Sequence, residues 1–161
     1  MERIKNQRTV PILLIVIAAL LIAGRVISWK LKPAPPQQQE SASDVHWVLI
    51  ENARDVSRRT GKPIMYDFTA AWCGPCHLLE EAVFQNPTLA ARINERFVPV
   101  RVMDRVQETG SNSPAVAELQ RRYEVSGFPT IVFADANGNQ KEKMVGFRGA
   151  EGFEEAMERA R

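Results

Sequence analysis

Two cysteines, the only ones among 161 residues, stand three positions apart in Trp72-Cys73-Gly74-Pro75-Cys76. At that spacing on the first turn of a helix, both sulfurs share one face and come close enough to form a disulfide. An apolar run, Ile64-Met65-Tyr66-Asp67-Phe68-Thr69, precedes the pair and reads as a buried strand, so the cysteines fall where a strand hands over to a helix. Cys73 then occupies the helix N-terminus, where unpaired N–H groups and the helix dipole favour a thiolate. A thiolate is the attacking species in disulfide exchange, which makes Cys73 the nucleophile and Cys76, one turn deeper, the resolving thiol. Pro75 starts the helix and stiffens the backbone between them.

Two other uses of the pair compete with this one. Buried structural cysteines occur at any spacing, but the strand-to-helix junction gives this pair a redox context. Zinc would require two further ligands, and the chain holds only His46 and His77. His77 adjoins Cys76 and His46 is remote in sequence, so no metal is expected. His77 reads as a solvated helix residue able to place positive charge near Cys73. Glu80 and Glu81 read as the exposed face of the same helix.

The elements that must hold this site follow from periodicity and punctuation. Asp44 is placed to cap a helix carrying Val45, Val48, Leu49, Ala53 and Val56 inward and ending near Gly61. The cysteine helix starts close to Pro75 and buries Cys76, Leu79, Ala82 and Val83. Asn86-Pro87 restarts it with a fresh cap, and Leu89, Ala90 and Ile93 continue its apolar stripe. Phe97 to Met103 alternates as a second strand. A polar loop from Glu108 to Asn112 leads to Ser113-Pro114 and a helix presenting Val116, Leu119 and Tyr123. Pro129 to Ala134 is a third strand, and Asn137-Gly138 turns it into a fourth ending near Gly146. Phe153, Ala156, Met157 and Ala160 face a last helix inward. Strands separated by helices imply parallel pairing, with an antiparallel edge from the final hairpin. The expectation is an α/β fold: a mixed four-stranded sheet with helices on both faces.

Composition bounds the rest. With 45% apolar and 25% charged residues the chain is too apolar for disorder, and its length allows one ordinary domain plus appendages. Twenty-one basic against 19 acidic residues leave a net charge of +2, which gives no reason to expect nucleic acid. Ile12 to Ala23 is an unbroken apolar run. Residues 10–29 span roughly the thickness of a bilayer core, with Arg25 near the end, where it can snorkel, and Trp29 at the interface. A cleaved signal peptide is the rival reading, but no small-x-small site follows the run. Residues 1–9 are then a short tail, 10–29 a transmembrane anchor, 30–43 a Pro/Gln-rich tether, and 44–161 the domain. Charges flanking the anchor nearly balance, and the N-terminal amine tips the count towards a cytoplasmic N-terminus.

Trp72-Cys73-Gly74-Pro75-Cys76, preceded by Asp67-Phe68 and followed by Gly127-Phe128-Pro129-Thr130, resembles the thioredoxin family from Gly61 to about Met157. Within it, the chain is similar to the C-terminal periplasmic domain of DsbD and its single-domain relatives. Gly61-Lys62-Pro63, Val83-Phe84-Gln85-Asn86-Pro87 and Ala136-Asn137-Gly138-Asn139-Gln140 carry that likeness. The resemblance implies a thioredoxin fold behind one N-terminal transmembrane helix. It implies a cis peptide at Pro129 beside the active disulfide, with Phe128 offering backbone groups to a substrate strand. Asp67 matches the buried acid that exchanges a proton with Cys76, a role that burial in an apolar strand makes chemically reasonable. Trp72 matches a flanking tryptophan, and Gly146 a glycine that lets a partner approach. The family's lysine near the buried acid reads here as an apolar residue around Val100.

What the resemblance implies about function is a protein-disulfide oxidoreductase with no cofactor beyond its own Cys73–Cys76 disulfide. The Gly74-Pro75 dipeptide is associated with reducing members. Expected partners are disulfide-containing envelope proteins such as apocytochrome c as substrates, and a DsbD- or CcdA-like membrane protein as electron donor. The expected location is the bacterial inner membrane, with the domain in the periplasm. An oxidase or isomerase, and a non-catalytic binding module built on the same fold, are the alternatives.

Overall fold

A computed structural model of the chain describes residues 45–160. The tail, the anchor, the tether and the Asp44 cap all lie outside the described residues. Among the described residues, no helix is long and apolar enough to cross a membrane.

The domain opens with residues 45–49, which belong to no helix or strand, and a 3-10 turn, Ile50–Asn52. Then come α1 (Ala53–Thr60), β1 (Ile64–Ala70) and α2 (Gly74–Leu79). A π-helical turn, Glu80–Phe84, leads through Gln85 and Asn86 to α3 (Pro87–Arg96) and β2 (Val98–Asp104). A single turn α4 (Val106–Thr109), α5 (Pro114–Arg122), β3 (Thr130–Ala134), β4 (Gln140–Val145) and α6 (Gly149–Arg159) complete it. The strand order is β2-β1-β3-β4, and all seven residues of β1 are buried.

The side-chain period of two sorts the sheet into two cores. Ile64, Tyr66 and Phe68 meet Val100 and Val102 of β2, Ala53 of α1 and Leu119 of α5 on one face. Met65, Ile131 and Phe133 meet Leu79, Val83, Ile93 and Phe153 on the other, under α2, α3 and α6. This is the expected mixed four-stranded sheet with helices on both faces.

Three expectations are corrected. β3 follows a helix, yet it runs antiparallel to β1; among the described residues only β1 and β2 pair in parallel. The connection from β2 to β3 leaves and re-enters at the same end of the sheet, so α5 is no crossover. Asp104, at the end of β2, fastens that connection by accepting from Asn112 Nδ2 at 2.6 Å and Gln120 Nε2 at 2.8 Å. The first helix starts at Ala53 and not at residue 45, because the residues at helical spacing serve different cores. Val45 is buried in the α3–α6 core, Val48 packs against the α1–α5 core, and the Val48 N–H donates to the Pro99 carbonyl at 2.8 Å. The segment thereby wraps the open edge of β2. The loop expected from Glu108 to Asn112 begins inside α4, which Gly110 ends in the left-handed conformation at φ +79°.

Candidate active site

Cys73 caps α2 and Cys76 lies in its first turn, joined in a disulfide with Cα atoms 5.3 Å apart. Cys73 Sγ accepts from the Cys76 N–H at 3.2 Å, so the sulfur occupies the position of an N-capping oxygen. Pro75 falls within the first two helical positions, where its missing N–H costs nothing. Both cysteines are buried, and Ala70 and Phe128 pack around them. Gly74 is exposed beside them, and a Cβ there would meet nothing within 4 Å.

The Phe128–Pro129 peptide is cis and brings the loop before β3 against the disulfide. The Trp72 ring, 51% exposed, sits edge-on to Phe128 with centroids 5.9 Å apart. The Gly146 N–H donates to the Pro129 carbonyl at 2.8 Å, and the glycine holds φ +75°, a conformation that side chains oppose. Trp72, Cys73, Cys76 and Phe128 thus meet in one place, with Pro129 and Gly146 in the adjoining loop. His77 lies next to them on α2, with Nε2 3.1 Å from the Ala71 carbonyl oxygen.

Asp67 lies on β1 beneath the α2 side of the sheet and is 2% exposed. Burial pushes its carboxyl up to about 7, against the downward pull of Arg101 and with a smaller upward push from Glu80. Oδ2 accepts from Arg101 Nε at 3.2 Å, while the buried Oδ1 has no hydrogen-bond partner among the described residues. A proton on Oδ1 has nothing to compete with it, which fits an acid that titrates near neutrality.

Arg101 corrects the sequence reading of an apolar residue near this acid. The residue directly opposite Asp67 in the parallel register is Arg101, and not Val100. A shift of one residue moves a side chain to the opposite face, and Val100 belongs to the other core. The signal was available: Arg101 is the charge interrupting Val98, Val100 and Val102 on the strand's other face. Glu80 is also corrected. It does not simply face water but forms an ion pair with Arg101 Nη2. The π-helical turn begins at Glu80, whose carbonyl accepts from the Gln85 N–H at 2.9 Å, and no apolar periodicity announces such a widening.

A capping disulfide at a strand-to-helix junction, with the residue before a cis-proline packed against it, defines a dithiol–disulfide site on a thioredoxin fold. A family profile described as a thioredoxin-like domain matches residues 50–161, and the chain belongs to this family of disulfide oxidoreductases. The thiol:disulfide interchange protein DsbD of Vibrio vulnificus strain YJ016 is 31% identical over 134 residues, which are 78% of this chain and 21% of that protein. The chain therefore spans about a fifth of the length of that relative. The solved C-terminal domain of Neisseria meningitidis DsbD in the oxidised form superposes with a TM-score of 0.53 at 26% identity, covering 67% of this chain and 89% of that one. A structure described as DsbH oxidoreductase gives 0.64 at 23% identity, covering 83% and 96%, and shares the fold.

Proposed function

We propose that this chain is a membrane-anchored thiol–disulfide oxidoreductase that reduces disulfides of envelope proteins. The observation that carries the reading is the Cys73–Cys76 disulfide capping α2 beside a loop that ends in cis-Pro129.

In the dithiol form, the Cys73 thiolate attacks one sulfur of a substrate disulfide. A Cys73–substrate disulfide forms and the other substrate sulfur leaves as a thiolate that takes up a proton. Cys76 then gives its proton to Asp67 and attacks Cys73 Sγ, which releases the second substrate thiol and forms the Cys73–Cys76 disulfide. Two electrons have passed to the substrate. A carboxyl near 7 is matched to that transfer, since it accepts a proton near neutral pH and gives it up readily. Trp72 and Phe128 form the apolar border on which a substrate segment rests, and the backbone before Pro129 pairs with it. Gly74 and Pro75 leave the approach to Cys73 open.

Residues 10–29 serve as the anchor and 30–43 as the tether, with the domain in the periplasm. The oxidised pair is recharged by a DsbD- or CcdA-like membrane donor, because two electrons must return for each turnover. The resemblance to DsbD supports this part.

Reduction of insulin disulfides by the reduced chain tests the chemistry. Cys73→Ser is expected to abolish it, and Cys76→Ser to trap the substrate as a mixed disulfide. Full activity in Cys73→Ser would overturn the reading. Alkylation of intact cells with a membrane-impermeant thiol reagent tests the location. Labelling of Cys73 and Cys76 from outside is expected, whereas labelling only after permeabilisation places the domain in the cytoplasm.

A further inference from the structure

The segment 45–49 begins the domain, and hydrogen bonds donated by two of its backbone N–H groups fasten it on either side of Trp47. The His46 N–H donates to Asn94 Oδ1 at 2.8 Å, and the Val48 N–H donates to the Pro99 carbonyl at 2.8 Å. Buried Val45 anchors its start. Held in this way, the Trp47 ring lies over the Arg101 guanidinium, 4.0 Å from carbon to centroid. Phe84 flanks the same guanidinium at 5.5 Å and meets Trp47 edge-on at 5.0 Å. Arg101 is the group that holds Asp67 Oδ2 and also pairs with Glu80. A guanidinium pinned between two rings and two carboxylates has lost the freedom to swing into water.

We propose that Trp47 is a positioning residue for the active-site acid, fixing Arg101 against Asp67 so that the strap at the start of the domain governs proton exchange at the Cys73–Cys76 pair. The proposal rests on the thiol–disulfide reading, which assigns that exchange to Asp67. Charged groups on the elements around Asp67 leave this role to Arg101. From β2 comes Arg101 and from the π-helical turn Glu80, while His77 of α2 has its Nε2 3.1 Å from the Ala71 carbonyl oxygen. β3 contributes apolar Ile131 opposite Asp67. On α6, Glu154 is paired with Arg92, and Glu158 with Arg92 and Arg96. Glu142 of β4 is paired with Arg159. If Trp47 releases Arg101, Asp67 stays buried but loses the guanidinium that contacts it, and its proton is held more tightly.

The test follows the side-chain carboxyl signal of Asp67 by carbon-13 NMR during pH titration of the full, oxidised chain. Trp47→Leu, which keeps an apolar cover without a π face, is expected to raise the Asp67 midpoint by about half a pH unit or more. Trp47→Phe is expected to restore most of the wild-type midpoint. Arg101→Met is expected to raise it further, and adding Trp47→Leu to Arg101→Met to change nothing more. An unmoved or lowered midpoint in folded Trp47→Leu would overturn the proposal. An equal shift with and without Arg101 would also overturn it, since Trp47 would then act only as a cover. The insulin-reduction pH profile of Trp47→Leu should move upward with the NMR midpoint. The titration reads the coupling whether or not the wild type reduces insulin, so failure of the functional reading and failure of this proposal are separate results.

Discussion

Asp67 carries a carboxyl into a strand whose every residue is buried, and the consequence for stability has a definite sign. Burial raises its folded value above the ordinary 3.8 to about 7, so the fold prefers the protonated acid. Below 3.8 both folded and unfolded chains hold the proton and the full stability is present. As pH rises from there through about 7, the unfolded chain ionises freely while the folded chain resists, and stability is lost. The interval amounts to roughly 4 kcal/mol at about 1.36 kcal/mol per pH unit, as an upper figure. Asp67→Asn removes this loss. Its melting temperature in the oxidised form is expected to match wild type near pH 4 and to exceed it clearly at pH 8. Equal differences at both pH values would show that Asp67 ionises in the fold as it does in water. Reduction of insulin should slow in the same variant, because Asn cannot accept the proton from Cys76. The acid was legible in sequence because a charge inside Ile64–Thr69 has no other easy explanation. Its counter-ion was not, because one-residue accuracy in β2 decides whether Val100 or Arg101 faces it, and periodicity alone does not number a strand pairing.

Boundaries written in side-chain chemistry were the most legible parts of the elements. Asn86 Oδ1 accepts from the Thr88 and Leu89 N–H groups at 3.0 and 3.2 Å, with Pro87 behind it, as the Asn-Pro pair announced. Asn86→Ala is expected to cost about 1 kcal/mol, a fall of a few degrees in melting temperature with no change in redox chemistry. The Asn137-Gly138 turn is equally explicit. Asp135 Oδ1 accepts from the Asn137 and Asn139 N–H groups, and Gly138 holds φ +88° with Arg122 Nη1 2.9 Å from where a Cβ would stand. Gly138→Ala therefore combines a disfavoured backbone with a displaced arginine, and denaturant unfolding should show a loss of more than about 1 kcal/mol. Elements fixed by distant contacts were not legible. The spacing of Val45, Val48 and Leu49 is helical, yet Val45 and Val48 serve opposite cores across the edge of β2. Likewise, the antiparallel sense of β3 depends on where the β2–β3 connection is tied down, by a side-chain cluster at Asp104 that no local pattern reveals.

At the scale of the molecule, the fold and the redox couple are two legs of one thermodynamic cycle. The two-core sheet was legible because layer assignment needs only the period of each element and its order, and the cysteine site fell at a junction visible in the chain. The direction of the couple follows from comparing folded and unfolded states. Closing so small a loop lowers the entropy of the unfolded chain by an amount worth about 2 kcal/mol, while the folded backbone already holds the cysteines together. The oxidised form is then the more stable fold, and the same difference makes the folded disulfide harder to reduce, by about 40 mV relative to the unfolded peptide. Cys73 at the start of α2 opposes this by favouring the thiolate, but an ionised Asp67 disfavours a second negative charge nearby. The second effect grows as pH rises through about 7, and the couple should remain reducing. Equilibration with glutathione at pH 7.5 is expected to give a midpoint more negative than about −230 mV, with the oxidised chain melting above the reduced one. A reduced form that melts higher would reverse the cycle, because it would make the folded disulfide the oxidant and turn the same site into a donor of disulfides.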